Sequence, residues 1–387
     1  MNQLDLINAL FTEVKKIKQY MIYHSSKIKP EEYLVLLSAL LEKYYALSLP
    51  SAGIETTLKS LESAKEITNP STIYLRVINC MLREIILYRK QFCIIRRSDP
   101  IPGLASHIMT NLGQIVAAIN EGYIPVIDMQ FSENLFTCLN QNHTQNAWEL
   151  FFKQPFGNYS LYVATNADTR ILKDGIPGFM PYYNMDQLMN PSILNFWQTA
   201  MKEYMPFSDR LQKATQDAYG KLPFEGNKIL GVICRGTDYR NLRPYNHPVQ
   251  PDVNDVIAKA KETMQNYNCT YCYLATEDDS IRARFQETFG DRLLTSQSMY
   301  FDSSQATLLS EEMQDSPKQL LEKNVEYLTS LFLLGQCHCL IGGRTSGLVV
   351  ALLLNEIPYA YTYFWNEGNY GIDSLQALQT LSIATTL

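Results

Sequence analysis

Three short apolar runs dominate the second half of the chain, at residues 229–234, 270–275 and 337–341. Each ends abruptly in a polar or glycine-bearing segment. Each is then followed by residues whose apolar positions recur at helical spacing, at 253–267, 281–289 and 346–354. Apolar runs of this length between amphipathic helices predict a parallel sheet covered on both faces, since strands buried on both sides have no polar face to alternate. A long helix over 315–334 and a last strand over 357–364 extend the pattern, while 301–313 is polar and aperiodic and reads as a mobile loop. An earlier strand–helix–strand unit precedes it. It has a strand at 92–95, a helix opening at Gly103 and stopped by Gly122, and a strand at 123–129. Between them, Asn146 opens one helix and 191–204 forms another.

Residues 1–92 have a different texture. They hold a single glycine, Gly53, and three prolines, Pro30, Pro50 and Pro70, at equal intervals. Stripes such as Leu34, Leu37, Leu40, Leu41 and Tyr44 predict three or four helices of about 16–20 residues. The expected organisation is a helical region over 1–91, a first α/β lobe over 92–225 and a second over 226–387. The helical region is expected to pack on the lobes or to pair subunits as a homo-oligomer, because its apolar stripes cannot stay in water.

Composition narrows the function classes. Across 387 residues, 46% are hydrophobic and the formal net charge is −6, which argues against a general nucleic-acid binder. No apolar stretch approaches the ~18–20 residues of a transmembrane span. The charged pattern of the first twenty residues is not that of a signal peptide, so a cytoplasmic protein, at most peripheral at a membrane, is expected. Cys269-x-x-Cys272 and Cys337-x-Cys339 have zinc-like spacing. Both pairs border apolar runs, so they read as buried strand residues, where cysteine is a small hydrophobe. Neither a P-loop nor a Gly-x-Gly-x-x-Gly strand–helix turn is present, which disfavours an NTPase or a nicotinamide oxidoreductase.

The chemistry gathers at three strand ends: Arg235-Gly236-Thr237-Asp238-Tyr239, Thr276-Glu277-Asp278-Asp279 and Gly342-Gly343-Arg344-Thr345-Ser346-Gly347. Ligands of open α/β sheets bind outside the carboxyl ends of the strands. The last segment has the makings of an anion site, with glycines for close approach, hydroxyls and a helix start; Arg235 adds a forked donor. Each segment alone also has a structural use: a helix cap, a surface ion pair, an acidic first turn.

These segments resemble those of the fucosyltransferase-like glycosyltransferases of GT-B fold, a group including α1,2- and α1,6-fucosyltransferases and protein O-fucosyltransferases. Ile233-Cys-Arg-Gly-Thr-Asp238 is similar to their His-x-Arg-(Arg/Gly)-x-Asp signature, and Leu274-Ala-Thr-Glu-Asp-Asp279 to their Ala-Thr-Asp-Asp segment. Residues 334–347 are similar to their closing strand and Ser-Ser helix start. Pro102-Gly-Leu-Ala-Ser106 and the following strand are similar to their Gly-Leu-Gly-Asn opening. The resemblance spans about 92–365 and implies two Rossmann-like lobes facing a cleft. It implies inverting, metal-independent transfer of a sugar, usually fucose from GDP-fucose, to a hydroxyl of a glycan or glycoconjugate, as in surface polysaccharide biosynthesis. Carried over, Arg235 and Gly236 with Arg344, Thr345, Ser346 and Gly347 would hold the diphosphate. Glu277, Asp278 and Asp279 would line the donor site, and Gly103 and Ser106 would lie on the acceptor side. No cofactor beyond the nucleotide sugar is implied.

Three positions depart from that pattern. Ile233 stands where the family has a base-contacting histidine, and Ser330 where an acidic residue is expected, with Glu326 one turn earlier. The glutamate proposed as base in the family has no match within 241–247, leaving Asp238 and His247 as local alternatives. The competing expectation is a catalytically silent nucleotide-sugar or glycan-binding protein that assembles through its helices.

Overall fold

The computed structural model describes residues 2–23, 29–63, 70–157, 159–182, 184–236, 243, 245–296, 298, 300 and 316–371. The chain packs as two compact units. One comprises Met1–Ile94, Ile115–Val126 and Tyr159–Lys173; the other comprises Ile95–Gln114, Ile127–Asn158 and Asp174–Leu387. The α/β class and the helical N-terminal region expected from the sequence are both present.

The first unit opens with α1 (Gln3–Tyr23), α2 (Pro30–Ala46), α3 (Ala52–Ser63) and α4 (Pro70–Arg89). Pro30 and Pro70 each begin a helix, where the missing N–H would have had no partner anyway. The stripes meet in one core: Ile7, Leu10 and Val14 of α1, Leu37 and Leu40 of α2, and Val77, Ile78, Met81 and Ile85 of α4 are all buried. Helix α5 (Leu104–Glu121) ends in Gly122, whose φ of +87° is left-handed. The space a side chain would need there is taken: a Cβ would lie 2.2 Å from Arg89 Nη1 and 3.0 Å from the Phe11 ring. Arg89 lies over that ring at 5.0 Å, and Lys15 Nζ donates to Asn120 O at 2.6 Å. Helices α1 and α4 are thereby pinned to the turn that leads into the sheet.

That sheet has the order β2–β1–β3, from β1 (Phe92–Arg96), β2 (Ile124–Ile127) and, after the short α6 (Leu161–Thr165), β3 (Arg170–Asp174). Ile124 N–H bonds to Gln91 O and Asp128 N–H to Ile95 O, the constant offset of parallel strands.

The second unit holds α7 (Met185–Leu188), α8 (Pro191–Tyr204) and α9 (Asp209–Lys221), then β4 (Ile229–Ile233), α10 (Val253–Asn266), β5 (Tyr271–Ala275), α11 (Asp279–Phe289) and β6 (Leu293–Leu294). It closes with α12 (Pro317–Gly335), β7 (Cys339–Gly343), α13 (Ser346–Leu353) and β8 (Tyr361–Trp365). The sheet order is β6–β5–β4–β7–β8, and every pairing is parallel. The chain steps outward from β4 to one edge, then crosses to β7 and steps to the other. The order therefore reverses between β4 and β7.

The four cysteines with zinc-like spacing are buried, and Cys269 and Cys339 approach with their sulfurs 4.0 Å apart. Burial pushes the Cys272 and Cys337 thiols well up, so they stay protonated and pack as small apolar groups. Among the described residues no three metal-binding side chains gather, and no helix is long and apolar enough to cross a membrane.

Some local expectations change. Asn146 opens only a single 3₁₀ turn, Ala147–Leu150, accepting the Trp148 N–H. The last strand begins at Tyr361 rather than 357, after Pro358. Helix α3 is 12 residues long, shorter than its neighbours. Strand β3 was not legible because none of its side chains is fully buried and its sequence, Arg-Ile-Leu-Lys-Asp, has no apolar run. The segment 301–313 lies outside the described residues.

Gly122→Ala forces a side chain into a left-handed position already filled by Arg89 and Phe11. It should cost about 1–3 kcal/mol of stability, read by urea denaturation.

Candidate functional site

The reversal between β4 and β7 is a topological switch point, where loops leaving neighbouring strands diverge and open a crevice. The loop after β4 carries Arg235 and Gly236; the loop after β7 carries Arg344, Thr345 and Ser346. Pairing of Ile233 with Gly342 sets the two loops side by side. This register depends on Gly342, because a Cβ there would fall 2.2 Å from Ile233 Cγ2 and 2.6 Å from Ile233 O. The Ile233 side chain also reaches the start of α13, within 3.3 Å of where a Gly347 Cβ would be. Ile233 is thus an apolar plug between the strand ends.

Glu277 and Asp278 sit beside Gly236. Gly236 N–H donates to Glu277 Oε1 at 2.9 Å, and a Cβ on Gly236 would lie 2.3 Å from Asp278 Oδ2. Asp278 is buried and caps α11, its Oδ1 accepting from Ser280 N–H at 2.8 Å, Ile281 N–H at 3.1 Å and Ser280 O–H at 2.6 Å. Asp279 points to solvent and accepts from Arg282 Nε and Nη2 at 3.0 and 2.8 Å. Of the acidic run, one residue steadies the Arg235–Gly236 turn, one caps a helix against it, and one forms a surface ion pair.

Across the switch point Thr345 is the N-cap of α13. Its Oγ1 accepts Leu348 N–H at 3.1 Å, leaving the hydroxyl hydrogen to donate. Helix geometry leaves the N–H groups of Ser346 and Gly347 without intrahelical acceptors, at the positive end of the helix dipole. The sequence did not flag Gln250, which covers this loop. Its Nε2 donates to Arg344 O at 3.2 Å, and its Oε1 lies 2.3 Å from where a Gly343 Cβ would be, so a side chain there would have to displace the glutamine. That Oε1 is buried with no hydrogen-bond partner among the described residues.

His247 belongs to the same construction. Its carbonyl accepts Tyr370 N–H at 2.9 Å, Val249 N–H bonds to Gly368 O at 3.0 Å, and Arg344 Nη2 donates to that same Gly368 carbonyl at 3.2 Å. The His247 ring is half-buried, with Nδ1 3.0 Å from Tyr245 O. Asp238 lies outside the described residues. Ser330 is buried and donates to Tyr327 O at 2.7 Å, while Glu326 accepts from Ser298 O–H at 2.5 Å.

Gly103 and Ser106 mark a second polar cluster, at the carboxyl end of β1. Arg97 is buried and its Nη1 donates to Ser106 Oγ and Thr110 Oγ1, both at 2.8 Å. Gly103 O accepts Ser106 N–H, and nothing stands within 4 Å of where its Cβ would be. Behind them His107 is buried against the edge of Phe136, and neither ring nitrogen has a partner among the described residues. Burial, with the Arg97 charge adding to it, pushes the His107 pKa down to about 3. It is a neutral core side chain at working pH.

No family model and no curated protein matches this sequence. Solved structures do. Fucosyltransferase NodZ from Bradyrhizobium is similar at 13% identity and a TM-score of 0.44, over 73% of this chain and 97% of that one. A point mutant of Arabidopsis thaliana FUT1 in complex with GDP is similar at 11% identity and 0.44, over 88% and 81%. POFUT1 in complex with GDP-fucose is similar at 10% and 0.38, over 73% and 98%.

A histidine that charges in the unfolded chain near its usual pKa of 6.5, but in the folded protein only near 3, makes the unfolded state bind more protons between those values. Stability therefore falls as pH falls through this window, by up to about 1.4 kcal/mol per pH unit from this group. Stability of the native protein and of His107→Gln, measured by denaturant at pH 7.5 and 5.5, should differ in pH dependence by roughly that amount.

Proposed function

We propose that the chain is a nucleotide-sugar glycosyltransferase whose donor diphosphate lies at the β4–β7 switch point. The observation that carries this reading is the register Ile233↔Gly342. It brings the loop that carries Arg235 alongside the start of α13, where helix geometry leaves two N–H groups without intrahelical acceptors and Thr345 adds a hydroxyl. The neighbouring carboxylates are engaged within the scaffold, Glu277 and Asp278 accepting hydrogen bonds from the protein's own backbone. The crevice therefore presents donors to an anion.

In the reaction a base removes the proton from the acceptor hydroxyl, and its oxygen bonds to the anomeric carbon on the face opposite the nucleotide. The bond from that carbon to the diphosphate oxygen breaks, leaving negative charge on the terminal phosphate. Arg235, Thr345 and the Ser346 and Gly347 amides meet that charge, doing what a divalent cation would otherwise do. Inversion is the stereochemical outcome of that single displacement, and transfer without a metal ion is part of the same proposal. GDP-fucose is the donor favoured by the motif resemblance. With Ile233 packed as a plug and Ser330 turned to its own helix, guanine recognition would fall to other groups. His247, on the strap joined to Arg344, is the leading candidate for the base, and Asp238 the alternative. Gly103 and Ser106 are assigned to the acceptor side.

Arg235→Ala should weaken GDP binding by about 2–3 kcal/mol in calorimetry, with native affinity unchanged by EDTA. Unchanged GDP affinity in the variant would remove Arg235 from the site. His247→Ala should lower turnover at least ~100-fold at nearly constant donor affinity. Near-native turnover would pass the role to Asp238.

A further inference from the structure

The segment after β3 forms a second concavity that the donor site does not use. The chain leaves β3 at Asp174, which accepts Ser98 N–H and O–H at 2.9 and 2.7 Å. It turns at Gly175, φ +96°, whose carbonyl accepts from Gln114 Nε2 at 3.1 Å. It then lies flat on α5 at Gly113, where a Cβ would fall 2.6 Å from Phe179 O and 2.7 Å from Met180 Cβ. A missing side chain and these hydrogen bonds fix the wall of the pocket.

With α7 and α8 this wall encloses about 270 Å³, lined by Pro177, Phe179, Tyr182, Asn184, Gln187 and Trp197 among others. Trp197 is the buried floor, at 1% exposure, and the Phe179 ring lies 4.8 Å from it while remaining 53% exposed. Tyr182 is 42% exposed beside them. Among the described residues none of the lining side chains is an acid or a base. Aromatic faces left in water, with carboxamides at the mouth and no charge, match a neutral ligand that has one apolar face and a hydroxyl-bearing edge. A pyranose ring has that chemistry: its C–H face lies on an aromatic ring, and its hydroxyls exchange hydrogen bonds with Asn and Gln. A proline-rich peptide also docks on aromatics, but along an extended groove. This concavity is compact, below the roughly 300 Å³ at which ligand pockets ordinarily begin.

We propose that this pocket binds a neutral sugar ring and, in the reaction above, holds a remote residue of the acceptor glycan; the second half rests on the transferase reading, the first does not. The full chain would be titrated, without nucleotide, with cellotetraose, maltotetraose and tetra-N-acetylchitotetraose, followed by saturation-transfer NMR and tryptophan fluorescence. At least one should bind. Phe179→Ala and Gln187→Ala should each weaken it at least about 10-fold, with the melting temperature and GDP affinity unchanged. Failure of all three sugars to bind, binding indifferent to both substitutions, or capture of a polyproline peptide at Phe179 instead would overturn the proposal. GDP binding without sugar binding removes this pocket and leaves the donor site. Sugar binding without GDP binding does the reverse.

Discussion

The contact between Ile233 and the bare backbone of Gly342 is the constraint on which the rest of the site depends. Strands β4 and β7 are far apart in sequence and adjacent in space, and their carboxyl ends meet at a residue with no side chain. Any Cβ at 342 would push against both the side chain and the carbonyl of Ile233. Gly343 and Gly347 are closely covered too, the first by the Gln250 side chain and the second by the Tyr327 hydroxyl. Three glycines in six residues thus let a strand, a covering loop and a helix start converge closely enough for backbone amides to face one crevice.

Charge is distributed with the same economy. The members of the acidic run after β5 are engaged as acceptors: Glu277 by Gly236, Asp278 by the first turn of α11, Asp279 by Arg282. Asp278 also presses on Gly236, so the acid that caps one helix shapes the turn that carries Arg235. The carboxylates build the scaffold, and the positive ends of dipoles are left to face the crevice.

Strands β4, β5 and β7 were legible because they are buried almost throughout and read as plain apolar runs, and because each ends in a segment of distinctive chemistry. Strand β3 was not, since its alternating, half-exposed residues carry no such run. The role of Asp278 could not be separated from ligand binding by sequence, because the aspartate that caps a helix and the one that lines a pocket occupy the same place after a strand. Gln250 gave no signal at all: its position follows from the bridge between Pro248 and Asn369, more than a hundred residues apart. Ile233 departs from the motif visibly in the sequence, but its use as a plug emerges only from the register with Gly342.

The central claim is that the β4–β7 switch point receives a nucleoside diphosphate. The most direct measurement is backbone amide chemical-shift mapping of the isotope-labelled protein during a titration with GDP. The account predicts that the largest perturbations fall on Gly236, Gly343, Ser346 and Gly347, with the amides lining the Phe179 pocket unmoved. Saturation with shifts confined elsewhere, or no saturable shift at those four residues, would contradict it.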